Sequence, residues 1–181
     1  MRIHICGIYG SGKSTLAKIL SKKFNIPFYS LDDIKYKKKY SEIRSAGDRI
    51  KEVKKICRSK NWITEGTWSN YAEDAFKKAD IIIIMKTSKL LCVYRILTRH
   101  LFREKYENDT FFEALKLSKE VYKYHLTKNP VSSHSHKNLI KKYRKKCLCL
   151  RKKSEIPQII EYLNKDIGDF EKPLKSSIEP L

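Results

Sequence analysis

The segment Gly7–Ser14, which reads GIYGSGKS, is the part of the chain whose residue types and spacing are best suited to chemistry. It fits the pattern G-x-x-x-x-G-K-[ST], in which a glycine-rich turn directs successive backbone N–H groups at phosphate oxygens. In such a loop Lys13 reaches the β- and γ-phosphates of a nucleotide, and the Ser14 hydroxyl binds Mg²⁺. The pattern predicts a site for magnesium and ATP whose members are Gly7, Tyr9, Gly10, Ser11, Gly12, Lys13, Ser14 and Thr15.

The residues on both sides of this loop give it the structural context that the pattern requires. Arg2–Cys6 is short and rich in β-branched residues, which predicts a strand. Apolar residues then recur at helical spacing from Leu16 to Phe24. A glycine-rich turn without a ligand is the alternative interpretation, but a strand, a glycine loop and a helix in this order favour a phosphate site.

Strands and helices alternate along the rest of the chain, which predicts an α/β fold with a parallel sheet covered by helices on both faces. We predict one domain over residues 1–165 and a flexible tail over 166–181. The predicted strands are 2–6, 26–31, 62–65, 81–85 and 147–150. The predicted helices after the first one are 41–60, 70–78, 88–104, 109–128, 134–144 and 156–163.

Two adjacent carboxylates, Asp32 and Asp33, follow the second predicted strand. In parallel sheets ligands bind beyond the carboxyl ends of the strands, so these groups are candidates for contact with a second substrate. A carboxylate there could orient or deprotonate an attacking hydroxyl. The alternative role is to cap a helix. We favour Asp33 for catalysis, because Asp32 lies nearer the predicted cap.

Glu65 ends the third predicted strand and is followed by Gly66. A carboxylate at this place can hold the water shell of Mg²⁺, which makes Ser14 and Glu65 the predicted metal-binding pair. The alternative is an ordinary polar residue at the end of a strand.

Arg95, Arg99 and Arg103 recur every four residues, so a helix places them on one face. Such arginines could bind the phosphates and stabilise charge during transfer, and we assign this role to Arg95 and Arg99 in particular. The alternative is a solvated face that pairs with Glu104 or Glu107.

Composition limits the other functional classes. The chain of 181 residues is 41% hydrophobic and has no run of about twenty apolar residues, so no membrane partner is expected. The five cysteines form no metal-binding pattern, which favours free thiols and a cytoplasmic protein. The net charge of +20 suggests nucleic-acid binding, but lysines scattered along the whole chain also indicate a compositional bias.

In these motifs the chain resembles the adenylate-kinase-like P-loop proteins of the DNA topology modulation family. The resemblance rests on GSGKS together with NIPFYSLDDI, WITEGTW, ADIIII and YRILTRH. It implies a three-layer P-loop fold with strand order 2-3-1-4-5 and a helical lid over about residues 100–140. It also implies that Arg95 and Arg99 contact ATP from the hinge of that lid.

The chain departs from this group where the kinases bind a monophosphate. Their arginine after the acid-glycine pair is absent here, and the sequence after the second strand is Leu31–Ile34. We therefore predict a kinase, monomeric or dimeric, that transfers the γ-phosphate of ATP to an unidentified small acceptor, either a nucleotide or a hydroxylated metabolite. The alternative is a nucleotide-dependent DNA-binding protein that modulates DNA topology. The predicted catalytic residues are Lys13, Asp33, Arg95 and Arg99.

Overall fold

A computed structural model of the chain describes residues 1–36, 42–66, 70–102, 111–126 and 141–165. Within these ranges five strands form one parallel sheet in the order β2-β3-β1-β4-β5. The predicted strand order is therefore confirmed. The strands are β1 (Arg2–Gly7), β2 (Phe28–Ser30), β3 (Trp62–Glu65), β4 (Ile81–Met85) and β5 (Cys147–Leu150).

Helices connect the strands and cover both faces of the sheet. They are α1 (Lys13–Phe24), α2 (Leu31–Lys35), α3 (Ala46–Ile56), α4 (Glu73–Lys78), α5 (Lys89–Phe102), α6 (Phe111–Leu126) and α7 (Ile156–Lys165). Of the predicted lid, residues 103–110 and 127–140 lie outside the described ranges, as does the whole predicted tail 166–181. No helix in the described ranges is both long and apolar enough to span a membrane.

The register of the sheet brings the ends of its central strands together. Ile5 of β1 pairs with Glu65 of β3, and Gly7 of β1 pairs with Met85 of β4. Because all three strands run in the same direction, the phosphate loop and the end of β3 meet at one edge of the sheet.

Two apolar clusters stabilise the sheet, one on each face. Ile3 and Ile5 of β1 pack with Leu16 and Leu20 of α1, and Ile159 of α7 joins the same cluster. On the opposite face Val53 of α3 and Phe76 of α4 pack on Trp62, Ile82 and Ile84. All five residues of β4 are buried, as expected for a central strand without a polar face.

A third apolar cluster ties α5 and α6 to the phosphate loop. It joins Ile8 of the loop to Cys92 and Ile96 of α5 and to Ala114 and Val121 of α6. The base of the loop is thus packed against α5.

Two predicted elements are shorter than the sequence indicates. β2 is limited to Phe28–Ser30, because Pro27 has no N–H to donate to a sheet ladder. Helix α3 begins at Ala46, because the Ser45 side chain accepts a hydrogen bond from the Asp48 N–H and caps the helix there. Ile43, predicted to be helical, instead forms an antiparallel bridge with Tyr36.

Candidate functional site

The phosphate loop connects β1 to α1 and requires glycine at two positions. Gly10 has φ 73° and Gly12 has φ 96°, values that L side chains rarely adopt. A Cβ atom on Gly10 would also lie 2.4 Å from the carbonyl oxygen of Cys92, so the loop lies directly against the first turn of α5.

Lys13 lies within this loop and is 8% exposed. Its Nζ donates a hydrogen bond of 3.0 Å to the Ile8 carbonyl and lies 6.0 Å from the centre of the Tyr9 ring. The ammonium is therefore close to the backbone that the motif assigns to phosphate binding.

Ser14 and Glu65 meet at the mouth of the loop, as the sequence predicts. The Ser14 hydroxyl donates a hydrogen bond of 3.1 Å to Oε1 of Glu65, a residue only 2% exposed. Burial raises the pKa of the Glu65 carboxyl, while the nearby Lys13 ammonium acts in the opposite direction and favours the carboxylate. Its second oxygen, Oε2, accepts no hydrogen bond from the described residues.

These two side chains fit a magnesium ion. A buried carboxylate oxygen without a partner lies beside a hydroxyl, and Mg²⁺ is commonly bound by one or two protein oxygens together with water and phosphate. The described residues contain no cluster of three or more acidic, histidine or cysteine side chains that would form an all-protein metal site. The arrangement therefore suits a metal that arrives with a nucleotide.

Asp32 and Asp33 both lie in the first turn of α2 and are exposed. The residue that precedes this helix is Ser30, so Asp32 is not at the cap position, which was the reason for preferring Asp33. The Asp32 charge raises the pKa of Glu65, where burial is the larger cause, and likewise that of Tyr9. The charge of Asp32 thus acts on a residue of the loop, Tyr9, and on a residue of β3, Glu65.

Arg95 of α5 contacts the phosphate loop directly. Its Nη1 donates hydrogen bonds to the carbonyls of Ser11 (3.1 Å) and Gly10 (3.3 Å). Arg99 follows one turn later and is exposed, and Arg103 lies outside the described residues. Of Arg95 and Arg99, the two described members of this set, Arg95 is thus the one that donates hydrogen bonds to backbone carbonyls of the loop.

A cavity of about 980 Å³ opens beside the loop, at the large end of the range for small-molecule sites. Its lining residues from the loop are Gly10, Ser11, Gly12 and Thr15. Its apolar wall is formed by Leu16, Met85, Leu91, Leu150 and Ile156. The charged residues that line it are Lys86, Arg95, Arg99, Arg151, Lys152 and Lys153, all cationic.

Sequence reasoning missed the residues that β5 adds to this cavity. Leu150 ends the strand and Arg151, Lys152 and Lys153 follow it. The rule that ligands bind beyond the carboxyl ends of strands would have selected them had it been applied to the fifth strand as well as the other four.

Comparisons with known proteins support this architecture. A protein of Thermococcus kodakarensis named "Putative adenylate kinase" is 29% identical over 111 residues, which are 58% of this chain and 60% of that protein. A shikimate kinase of Chlamydia pneumoniae is 56% identical over 34 residues, 19% of each chain. The chain thus spans less than two thirds of the length of either relative. No protein-family model matches it.

Two solved structures cover nearly the whole chain. A shikimate kinase from Bacteroides thetaiotaomicron has a TM-score of 0.55 at 15% identity and covers 91% of this chain and 97% of its own. The fold is that of a P-loop kinase. An uncharacterised protein from Eubacterium ventriosum has a TM-score of 0.58 at 20% identity, with 91% and 98% coverage. None of these names refers to DNA topology. The resemblance to the DNA topology modulation family therefore stays a prediction.

Proposed function

We propose that the chain is a phosphotransferase that moves the γ-phosphate of ATP to a small acceptor. One observation carries this proposal: Lys13 and the Ser14–Glu65 contact lie at a phosphate loop that borders a nucleotide-sized cavity with a cationic lining. In this proposal the donor site and the acceptor site share that loop. The kinase names of both sequence relatives agree with this class of reaction.

On the donor side, the base of ATP would lie on the aliphatic wall of the cavity and its phosphates on the loop. Lys13 would leave the Ile8 carbonyl and neutralise the charge that develops on the transferred group. Arg99 is exposed on the cavity wall, where its guanidinium could reach phosphate oxygens. Most of the rate enhancement would come from positioning and electrostatic stabilisation.

Ser14 and Glu65 would hold Mg²⁺ through the hydroxyl and the buried carboxylate. When bound, this ion supplies positive charge that orients the phosphates. Glu65 contributes a fixed anion whose position is set by the end of β3.

On the acceptor side, we propose Asp32 as the carboxylate that orients or deprotonates the acceptor hydroxyl, in place of Asp33. The effect of its charge on the pKa of Glu65 and of Tyr9, smaller in both cases than that of burial, supports this choice. The acceptor class stays as predicted from the sequence: a small hydroxylated metabolite or a nucleotide.

The proposal is tested by measuring ADP release from MgATP with panels of nucleoside monophosphates, nucleosides and small alcohols. We expect at least one acceptor to raise ADP release well above slow hydrolysis and to become phosphorylated in equal amount. ADP release that no acceptor stimulates would contradict the transferase assignment.

The same assay separates the two aspartates. Asp32→Asn should lower the acceptor-stimulated rate by about 10²–10⁴-fold, the usual contribution of a general base. Asp33→Asn is the matched control and should retain most of the rate, since its carboxylate lies one residue further along α2. Equal losses in the two variants would overturn the assignment to Asp32.

The DNA-binding alternative rests on the net charge of +20. Plasmid DNA added to the same assay should leave ADP release unchanged, and any DNA affinity should fall steeply with salt and not respond to ATP. Binding that persists at physiological salt and changes when ATP is added would favour the alternative.

A further inference from the structure

Thr87 lies in the segment between β4 and α5, outside the phosphate-loop motif and outside every site residue named from the sequence. It is 6% exposed, and its hydroxyl donates a hydrogen bond of 3.0 Å to the Ser11 carbonyl in the middle of the loop. A buried hydroxyl that contacts the loop from another element is positioned to affect the shape of the loop.

The Ser11 carbonyl has a second donor. Nη1 of Arg95 bonds to it at 3.1 Å and to the Gly10 carbonyl at 3.3 Å. A carbonyl oxygen has two lone pairs, so Thr87 and Arg95 can bond to it together. Both side chains approach the loop from the side of β4 and α5, where they also line the cavity.

Holding a carbonyl also fixes the N–H group of the same peptide unit. The peptide bond between Ser11 and Gly12 is planar and trans, so its C=O and its N–H point in opposite directions. With the carbonyl directed at Thr87 and Arg95, the Gly12 N–H points away from them. The preceding peptide is held at both ends, because Ser11 N–H donates to the Ile8 carbonyl at 3.2 Å.

The glycines give the backbone of this part of the loop conformational freedom. That freedom must be restricted if the loop is to bind phosphate tightly. Gly10 and Gly12 flank Ser11 and can adopt more backbone conformations than other residues. A loop whose N–H groups already point at the ligand loses less entropy when the ligand binds. The two bonds to the Ser11 carbonyl supply this restriction.

We propose that Thr87, acting with Arg95, is a positioning residue that orients the peptide between Ser11 and Gly12 for phosphate binding. The inference rests on the proposed function, in which this loop binds MgATP. The inference adds a second role to the phosphate contact predicted for Arg95, because the same side chain that lines the cavity also holds the loop carbonyls.

The test compares the dissociation constants for MgATP of the wild type, Thr87→Val and Thr87→Ser by calorimetry. Valine keeps the volume but removes the donor, and loss of one hydrogen bond should weaken binding about five- to tenfold. Serine keeps the hydroxyl and should bind within about twofold of the wild type. Arg95→Lys cannot bridge both carbonyls in the same way and should also weaken binding.

Ser118→Ala is the matched control, since that buried hydroxyl donates a hydrogen bond of 2.8 Å to the Ala114 carbonyl within α6 rather than to a carbonyl of the loop. It should lower the unfolding temperature but leave MgATP affinity unchanged. Thr87→Val with wild-type affinity overturns the inference but not the proposed function. If Thr87→Val does not fold, Thr87→Ala, which also lacks the hydroxyl, takes its place with the same expected result and the same overturning result. Wild-type protein that binds no MgATP overturns the proposed function and the inference with it.

Discussion

At the scale of single residues, Glu65 shows how a site residue can be unfavourable for stability. It is 2% exposed, it has one oxygen without a hydrogen-bond partner among the described residues, and its pKa is raised, chiefly by burial. The folded protein therefore holds a proton on this carboxyl more tightly than the unfolded chain does. Its ionisation costs folding free energy at neutral pH, and this cost disappears as the pH falls through its folded pKa.

Glu65→Gln should consequently raise the unfolding temperature at pH 7.5, because an amide at this position needs no ionisation. The difference from the wild type should shrink at pH 5, where more of the Glu65 carboxyl is protonated. The same change should lower kcat/KM about 10–100-fold, the usual effect of disturbing a group that supports a metal. Thermal unfolding at both pH values tests this account, and a variant equally destabilised at both would contradict it.

The sequence predicted residues whose role is local and missed those whose role depends on distant contacts. Lys13 and Ser14 follow from their spacing in the motif, and the Ser14–Glu65 contact follows from the meeting of strand ends. The strand-end rule points to the segment after Met85 but does not single out Thr87, because its bond to Ser11 joins residues 76 positions apart. The choice between Asp32 and Asp33 depended on where α2 begins, and sequence patterns place helix ends poorly.

At the scale of elements, α4 shows how a single lysine can complete a helix. Lys146 Nζ donates to the carbonyls of Phe76, Lys77 and Ala79 at 2.8, 2.8 and 2.9 Å. The last carbonyls of a helix have no partners within it, and a cation there also interacts favourably with the helix dipole. This contact fixes the end of α4 next to the start of β5.

Lys146→Met should therefore reduce the free energy of unfolding by about 2 kcal/mol, the scale of hydrogen bonds from a charged donor. Its exposed neighbour provides the control: Lys145→Met should change stability by less than about 0.5 kcal/mol. Urea unfolding measures both. Similar values for the two variants would show that the three bonds to α4 contribute little.

The ends of strands were predicted correctly where burial of a continuous apolar run determines them. The bounds of β4 and β5 agree with the sequence because their apolar residues are continuous and buried in the sheet. Helix α3 is shorter than its apolar spacing suggests, since Ile43 pairs with Tyr36 instead of continuing the helix. That bridge is a tertiary contact that no local pattern encodes.

At the scale of the whole molecule, the strand order 2-3-1-4-5 explains why distant motifs meet. The order places β1 between β3 and β4, so the loop after β1 has Glu65 on one side and Thr87 and α5 on the other. Asp32 of α2 follows β2 and Glu65 ends β3, while residues at and just after the ends of β4 and β5 line the cavity. One sheet edge thus supports both halves of the proposed transfer.

The central claim is that the phosphate loop binds MgATP for phosphoryl transfer, and Lys13→Ala tests it most directly. Among the described residues the Lys13 side chain donates one hydrogen bond, to the Ile8 carbonyl, and its charge favours the buried Glu65 carboxylate, so the variant should fold with a modestly lower unfolding temperature. We predict that ADP release from MgATP, with the best acceptor from the screen, falls at least about 100-fold in this folded variant. A folded Lys13→Ala protein that releases ADP at the wild-type rate would contradict the account.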